Sequence, residues 1–163
     1  MRDFLLQRFD GIRYFEKARY GTQKVLSSLL AVALRSEVAV SKVSKYILIA
    51  DDSEVVRRGV RNILTSTSWE VCGEAIDGPD AIQKATELLP DLVLLDISMP
   101  GLSGLDVARL LREKVPATCI LVMSQHDPSV LLPRALEAGA HACIDKSRLA
   151  LDLVPAIERI QAT

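Results

Sequence analysis

The chain has 163 residues, 49% of them hydrophobic and 25% charged, which suits one globular domain plus an extension and excludes a disordered chain. Its formal net charge of −1 gives no overall basic field of the kind that draws nucleic acid. Three widely spaced cysteines, Cys72, Cys119 and Cys143, argue against a disulfide framework or a thiolate zinc site, and for reduced thiols in a cytosolic setting.

Charge divides the chain near Ser44. Residues 1–45 hold nine Lys/Arg and four Asp/Glu, whereas residues 46–163 hold eleven and seventeen. Five of the seven aromatic side chains also fall in the first twenty residues, Phe4, Phe9, Tyr14, Phe15 and Tyr20. Residues 1–44 are therefore an N-terminal extension, partly helical or disordered, and 45–163 a separate domain. The longest apolar run in the extension, Leu29 to Leu34, is far short of the roughly 20 residues that span a bilayer. Asp3, Asp10 and Glu16 interrupt the basic start, which argues against a signal peptide. Val25, Leu26, Leu29, Leu30, Ala33 and Leu34 follow a helical spacing, as a docking, dimerising or membrane-surface helix would. A tail without function accounts for the same pattern and is the reading taken.

The acidic part alternates short apolar runs with helical segments. Tyr46–Ala50 predicts a strand, and Val55–Leu64 a helix with Val55, Val56, Val60, Ile63 and Leu64 on one face, Arg57, Arg58 and Arg61 opposite, and Ser53 as N-cap. Trp69–Ala75 predicts a second strand, followed by a helix from about Pro79 to Leu89 that Pro90 stops. Asp91–Leu95 is a third strand and Gly104–Lys114 a third helix. Cys119–Met123 is a fourth strand, followed by a helix over Leu131–Ala138 with Pro133 in its first turn and Gly139 at its end. Ala142–Ile144 and Leu149–Ile160 complete the pattern. Five strands each followed by a helix, with uninterrupted apolar strands such as Leu92–Leu95, predict a doubly wound α/β fold around a parallel sheet.

Polar residues fall where these strands end: Asp51 and Asp52 after the first, Asp96 after the third, Ser124 after the fourth, and Lys146 shortly after the fifth. A parallel sheet opens all those ends on one edge, where ligands bind near the switch in strand order. Three clustered carboxylates repel one another, and a hard divalent cation such as Mg²⁺ relieves them. The ion and the Lys146 ammonium would attract a phosphoryl group, and a carboxylate such as Asp96 is a competent nucleophile toward it. Read singly, Asp51 and Asp52 could merely favour a helix N-terminus, Asp96 be a loop carboxylate, Ser124 a turn residue and Lys146 a solvated charge. Their joint placement at one sheet edge speaks against that. His126 and His141 have no partners at metal-ligand spacing.

Residues 46–163 resemble a response-regulator receiver domain of two-component signalling. The matching motifs are Ile47-Leu-Ile-Ala-Asp-Asp52, Leu94-Leu-Asp-Ile-Ser-Met-Pro-Gly101, Met123-Ser124, and Gly139-Ala140 leading to Lys146. The resemblance implies a flavodoxin-like five-stranded sheet of order 2-1-3-4-5, with Asp96 as phosphoacceptor. It implies Mg²⁺ held by Asp51, Asp52, Asp96 and the Ser98 carbonyl, with Ser124 as switch hydroxyl and Lys146 pairing with the phosphoryl group. The implied partners are a histidine kinase or phosphotransfer protein and an unknown downstream protein. A homodimer through the fourth helix, fifth strand and fifth helix is compatible with it. His126, two residues after Ser124, stands where the family tunes dephosphorylation.

Two departures are visible. Cys143 occupies the position, three before the lysine, where the family usually has an aromatic switch residue. The local wording also resembles receivers joined to a helix-turn-helix, yet the sequence runs out after the last helix. The expectation is a stand-alone switch without direct DNA binding and without enzymatic output. Two other classes compete: a pseudo-receiver that only binds, and an aspartate-nucleophile phosphatase. The first conflicts with the intact set of five site residues; the second expects Asp-x-Asp after the first strand, where this chain has Asp51-Asp52-Ser53.

Overall fold

The computed structural model describes residues 45–162, and the helix expected over Val25–Leu34 lies outside them. The strands are β1 (Lys45–Ala50), β2 (Trp69–Ala75), β3 (Leu92–Asp96), β4 (Cys119–Ser124) and β5 (Ala142–Asp145). The helices are α1 (Glu54–Leu64), α2 (Gly78–Leu88), α3 (Gly104–Lys114), α4 (Pro128–Glu137) and α5 (Leu149–Gln161), with a 3₁₀ turn at Lys146–Arg148. All four strand pairs are parallel and the order is β2-β1-β3-β4-β5, as the resemblance implied.

Alternation along the strands explains their continuous apolar character. Ile47, Ile49, Leu92, Leu94, Leu121 and Met123 face Val60 and Leu64 of α1 and Leu153, Ala156 and Ile157 of α5. Leu48, Val93, Leu95, Ile120 and Val122 point the other way, into Ala81 and Ala85 of α2, Val107, Ala108 and Leu111 of α3, and Leu131 and Ala135 of α4. Both faces are thus covered, and each fully buried Leu or Ile adds about 1.5–3 kcal/mol relative to leaving it in water. Along β2 the register slips between Ile47 and Leu48, so that Cys72 has no opposite residue and its thiol reaches the Ile47 carbonyl at 3.3 Å.

Several expectations need correction. α4 begins at Pro128, three residues earlier than expected, because the Asp127 carboxylate caps it by accepting from the Ser129 amide at 2.8 Å. Pro128, not Pro133, is the first-turn proline; Pro133 sits inside the helix and deprives the Ser129 carbonyl of its bond. Ser53 occupies the N-cap position of α1, but its side chain makes no capping bond. Val55 is 70% exposed and takes no part in the buried face. β3 runs one residue later than expected and takes in Asp96. Asp91 stays outside it and accepts from the Tyr46 amide at 2.7 Å. α2 ends at Leu88, and Leu89 turns the chain in the left-handed region at φ 47° before Pro90. Gly139 ends α4 as expected, at φ +91° and with Arg112 Cγ only 2.2 Å from where a Cβ would stand.

Candidate functional site

At the C-terminal edge of the sheet, the ends of β1, β3, β4 and β5 each tie down their own loop. Asp51 Oδ1 accepts from the Ser53 amide (2.9 Å), Asp96 Oδ1 from the Ser98 amide (3.1 Å), Ser124 Oγ from the His126 amide (2.9 Å), and Asp145 Oδ1 from the Ser147 amide (2.7 Å). Short polar side chains make such turns because they reach the backbone two residues on. For Asp51 and Asp96 the consequence is a division of labour. One oxygen fixes the loop, and the other, Oδ2, is left for the cleft.

Both free oxygens meet the same cation. Lys146 Nζ lies 2.7 Å from Asp51 Oδ2 and 2.8 Å from Asp96 Oδ2, with 8% of the lysine side chain exposed and at most 2% of either carboxylate. Asp51 Oδ2 is fully buried and, among the described residues, has no hydrogen bond aligned on it, so the ion pair is its compensation. Burial pushes the Asp51 carboxyl above its ordinary range, against the pull of Lys146 and the Ser53 amide, and the Asp96 charge adds to the rise. Burial also works against the Lys146 ammonium, but its ion pairs with Asp51 and Asp96 outweigh it and raise that group. Lys146 is therefore charged at neutral pH.

Asp52 is exposed beside this pair, and Asp51, Asp52 and Asp96 each bring a carboxylate oxygen within 4.8 Å of the others. Three carboxylates against one ammonium leave an excess of negative charge that a divalent cation suits. The donors are hard oxygens, and the Oδ2 of Asp51 is buried without an aligned hydrogen-bond donor, so the residues fit Mg²⁺. Close approach to this corner needs Gly104, where a Cβ would lie 2.3 Å from the Asp96 carbonyl oxygen and 2.5 Å from Ile97 Cα.

The structure thus gathers Asp51, Asp52, Asp96 and Lys146. Ser124 stands at the same edge, fully buried at the end of β4 one residue beyond the Asp96–Met123 pair. Ser98 touches Asp96 through its amide. Cys143 is half-buried against the core, and burial, with the Asp145 carboxylate, pushes its thiol up to about 11, which keeps it protonated. Sequence reasoning missed Arg57, which it placed on the outer face of α1. Its Nη1 donates to the carbonyls of Asp51 (2.8 Å) and Asp52 (3.3 Å), and its Nε to Glu74 of β2 (2.8 Å). Arg61 also pairs with Glu74. The sequence signal was an arginine about one turn into a helix that follows two aspartates.

Comparison with known proteins gives a consistent result. The response regulator receiver domain family matches residues 47–158. The chain is 34% identical over 116 residues to the chemotaxis protein CheY of Thermotoga maritima, covering 71% of this chain and 97% of that one. It is 37% identical over 118 residues to the transcriptional regulatory protein PdtaR of Mycobacterium tuberculosis, covering 71% of this chain and 56% of the relative. It spans about half the length of that relative and of several other transcriptional regulators it matches. Among solved structures, a LuxR-family two-component response regulator from Aurantimonas sp. superposes with a TM-score of 0.68 at 35% identity, covering 73% of this chain and 86% of that one. The signal receiver domain of the putative response regulator NarL from Mycobacterium tuberculosis gives 0.68 at 32% identity, covering 74% and 98%.

Proposed function

The chain belongs to the response regulator receiver domain family of two-component signalling, and from that premise we propose that it is a switch phosphorylated on Asp96 by a histidine kinase or phosphotransfer protein. The observation that carries this reading is the Lys146 ammonium lodged between Asp51 and Asp96, beside a third carboxylate. In the transfer, an Asp96 carboxylate oxygen bonds to phosphorus. The P–N bond of the donor phosphohistidine breaks and its electron pair stays with the imidazole. Lys146 offsets the charge of the phosphoryl oxygens as they approach. Ser124 accepts from the His126 amide, so its own hydroxyl proton is free to donate to a phosphoryl oxygen. Asp51, Asp52, Asp96 and the Ser98 carbonyl would hold Mg²⁺, which when bound would neutralise the remaining negative charge.

The acyl phosphate changes local charge and biases the surface formed by α4, β5 and α5, through which the domain signals by protein contacts or dimerises. The only chemistry in this reading is the chain's own phosphorylation and dephosphorylation. The switch spans residues 45–163 and acts in the cytoplasm, with residues 1–44 as an extension that phosphorylation does not require; among the described residues no helix is long and apolar enough to cross a membrane. Intact mass after incubation with acetyl phosphate, with Mg²⁺ or with EDTA, tests the proposal. One Mg²⁺-dependent phosphoryl adduct is expected, lost in Asp96→Asn and kept after removal of residues 1–44. An adduct retained by Asp96→Asn, or none under any condition, overturns it.

A further inference from the structure

We infer that Arg57 and Glu74 form a positioning strap that sets the affinity of the acidic cluster for its divalent cation. This rests on the cation-site reading above. Arg57 and Arg58 are neighbours on α1, yet Arg58 is exposed while only 12% of the Arg57 side chain meets solvent. The Arg57 guanidinium is folded back along the helix to the loop that carries Asp51 and Asp52. There it binds carbonyls, at 2.8 Å and 3.3 Å, and leaves the carboxylate oxygens alone.

That choice of atoms matters. A cation bonded to the carboxylates would compete with a metal for the same lone pairs. A cation bonded to the two main-chain oxygens fixes where the carboxylates stand and leaves those lone pairs available. The planar fork of arginine allows this, because Nη1 reaches the loop while Nε stays on Glu74 at 2.8 Å. Glu74 has two tasks. It anchors the guanidinium to β2, a strand fixed by its pairing with β1, and its negative charge offsets a positive one that would otherwise stand beside a cation site. A pin meant only to hold α1 on β2 would need the Glu74 bonds alone, and Arg61 already supplies one. The contacts to Asp51 and Asp52 are what a pin leaves unexplained.

Calorimetric titration of the full chain with Mg²⁺ tests the strap, alongside melting in EDTA to fix the folded fraction. Arg57→Ala should weaken Mg²⁺ binding by about tenfold, the lower end of losses from residues that orient metal ligands. Arg57→Lys should fall between, since one ammonium cannot hold the loop and Glu74 together. Glu74→Gln should also weaken binding, and the double variant Arg57→Ala/Glu74→Gln should be no weaker than Arg57→Ala, because Glu74 acts through Arg57. Unchanged affinity in Arg57→Ala and Arg57→Lys, or losses that add in the double variant, overturns the inference. If the unsubstituted protein binds no Mg²⁺, the cation-site reading itself falls, and the strap with it.

Discussion

Gly104→Ala is a sensitive probe of how closely α3 is set against the acidic corner at Asp96. The added methyl would stand 2.3 Å from the Asp96 carbonyl oxygen, 2.5 Å from Ile97 Cα and 2.9 Å from the Asp96 carbonyl carbon. Ordinary contacts lie near 3.5 Å, so the start of α3 must retreat by about 1 Å from backbone that cannot swing aside. The retreat pulls on Leu105, Val107, Ala108 and Leu111, all buried against the sheet. Overpacking of this kind costs about 1–3 kcal/mol, and the entropy gained by replacing glycine returns about 0.4–1 kcal/mol. The net expectation is a loss of about 1–2 kcal/mol, read as a lower urea midpoint at unchanged slope. Gly59→Ala is the matched control, because nothing lies within 4 Å of the new methyl in the middle of α1. There the same substitution should stabilise, by roughly 0.5–1 kcal/mol. A Gly104→Ala protein as stable as the unsubstituted one would refute the close packing of α3 against the Asp96–Ile97 backbone.

Two further outcomes follow from local geometry. His141 Nδ1 accepts from the Ile120 amide at 3.0 Å, so the ring must be neutral there. Partial burial of the ring and the nearby Arg112 charge lower its pKa below the ordinary 6.5. A histidine lowered in the folded state gives stability that is complete above its unfolded pKa and is lost as pH falls toward the folded one. Between about pH 7.5 and 5.5 the melting temperature should therefore fall further in the unsubstituted protein than in His141→Gln, and equal slopes would contradict the assignment. Leu89 is 68% exposed and held at φ 47°, where a side chain costs about 1–2 kcal/mol that glycine avoids. After the extra chain entropy of glycine, Leu89→Gly should gain roughly 0.5–1 kcal/mol in urea denaturation; a net loss would show that the leucine side chain packs usefully there.

Much of the fold was legible because burial on both faces leaves strands such as Leu92–Leu95 without polar interruption, and because the ordered series Asp51, Asp52, Asp96, Ser124, Lys146 sits at strand ends. What was misread follows from treating helix periodicity as a map of burial. Val55 has the right spacing, but it lies in the first turn of α1, where it is 70% exposed. Arg57 points outward by spacing, but its long side chain bends back to hydrogen-bond atoms in the loop, which spacing alone does not encode. The start of α4 was missed for a simpler reason. Asp127 followed by Pro128 is a helix-start signal, and Pro133 was given that role instead.

The slip at Cys72 bears on how copies of this protein keep apart. β2 is an outer strand, and an outer strand offers unsatisfied amides and carbonyls to any passing chain. An unpaired residue in its middle breaks the even rhythm of those groups and increases the local twist, so a second strand laid alongside would match one half and miss the other. The opposite outer strand, β5, has only four residues. A sheet with one margin out of step and the other this short is poorly suited to growing into a fibre.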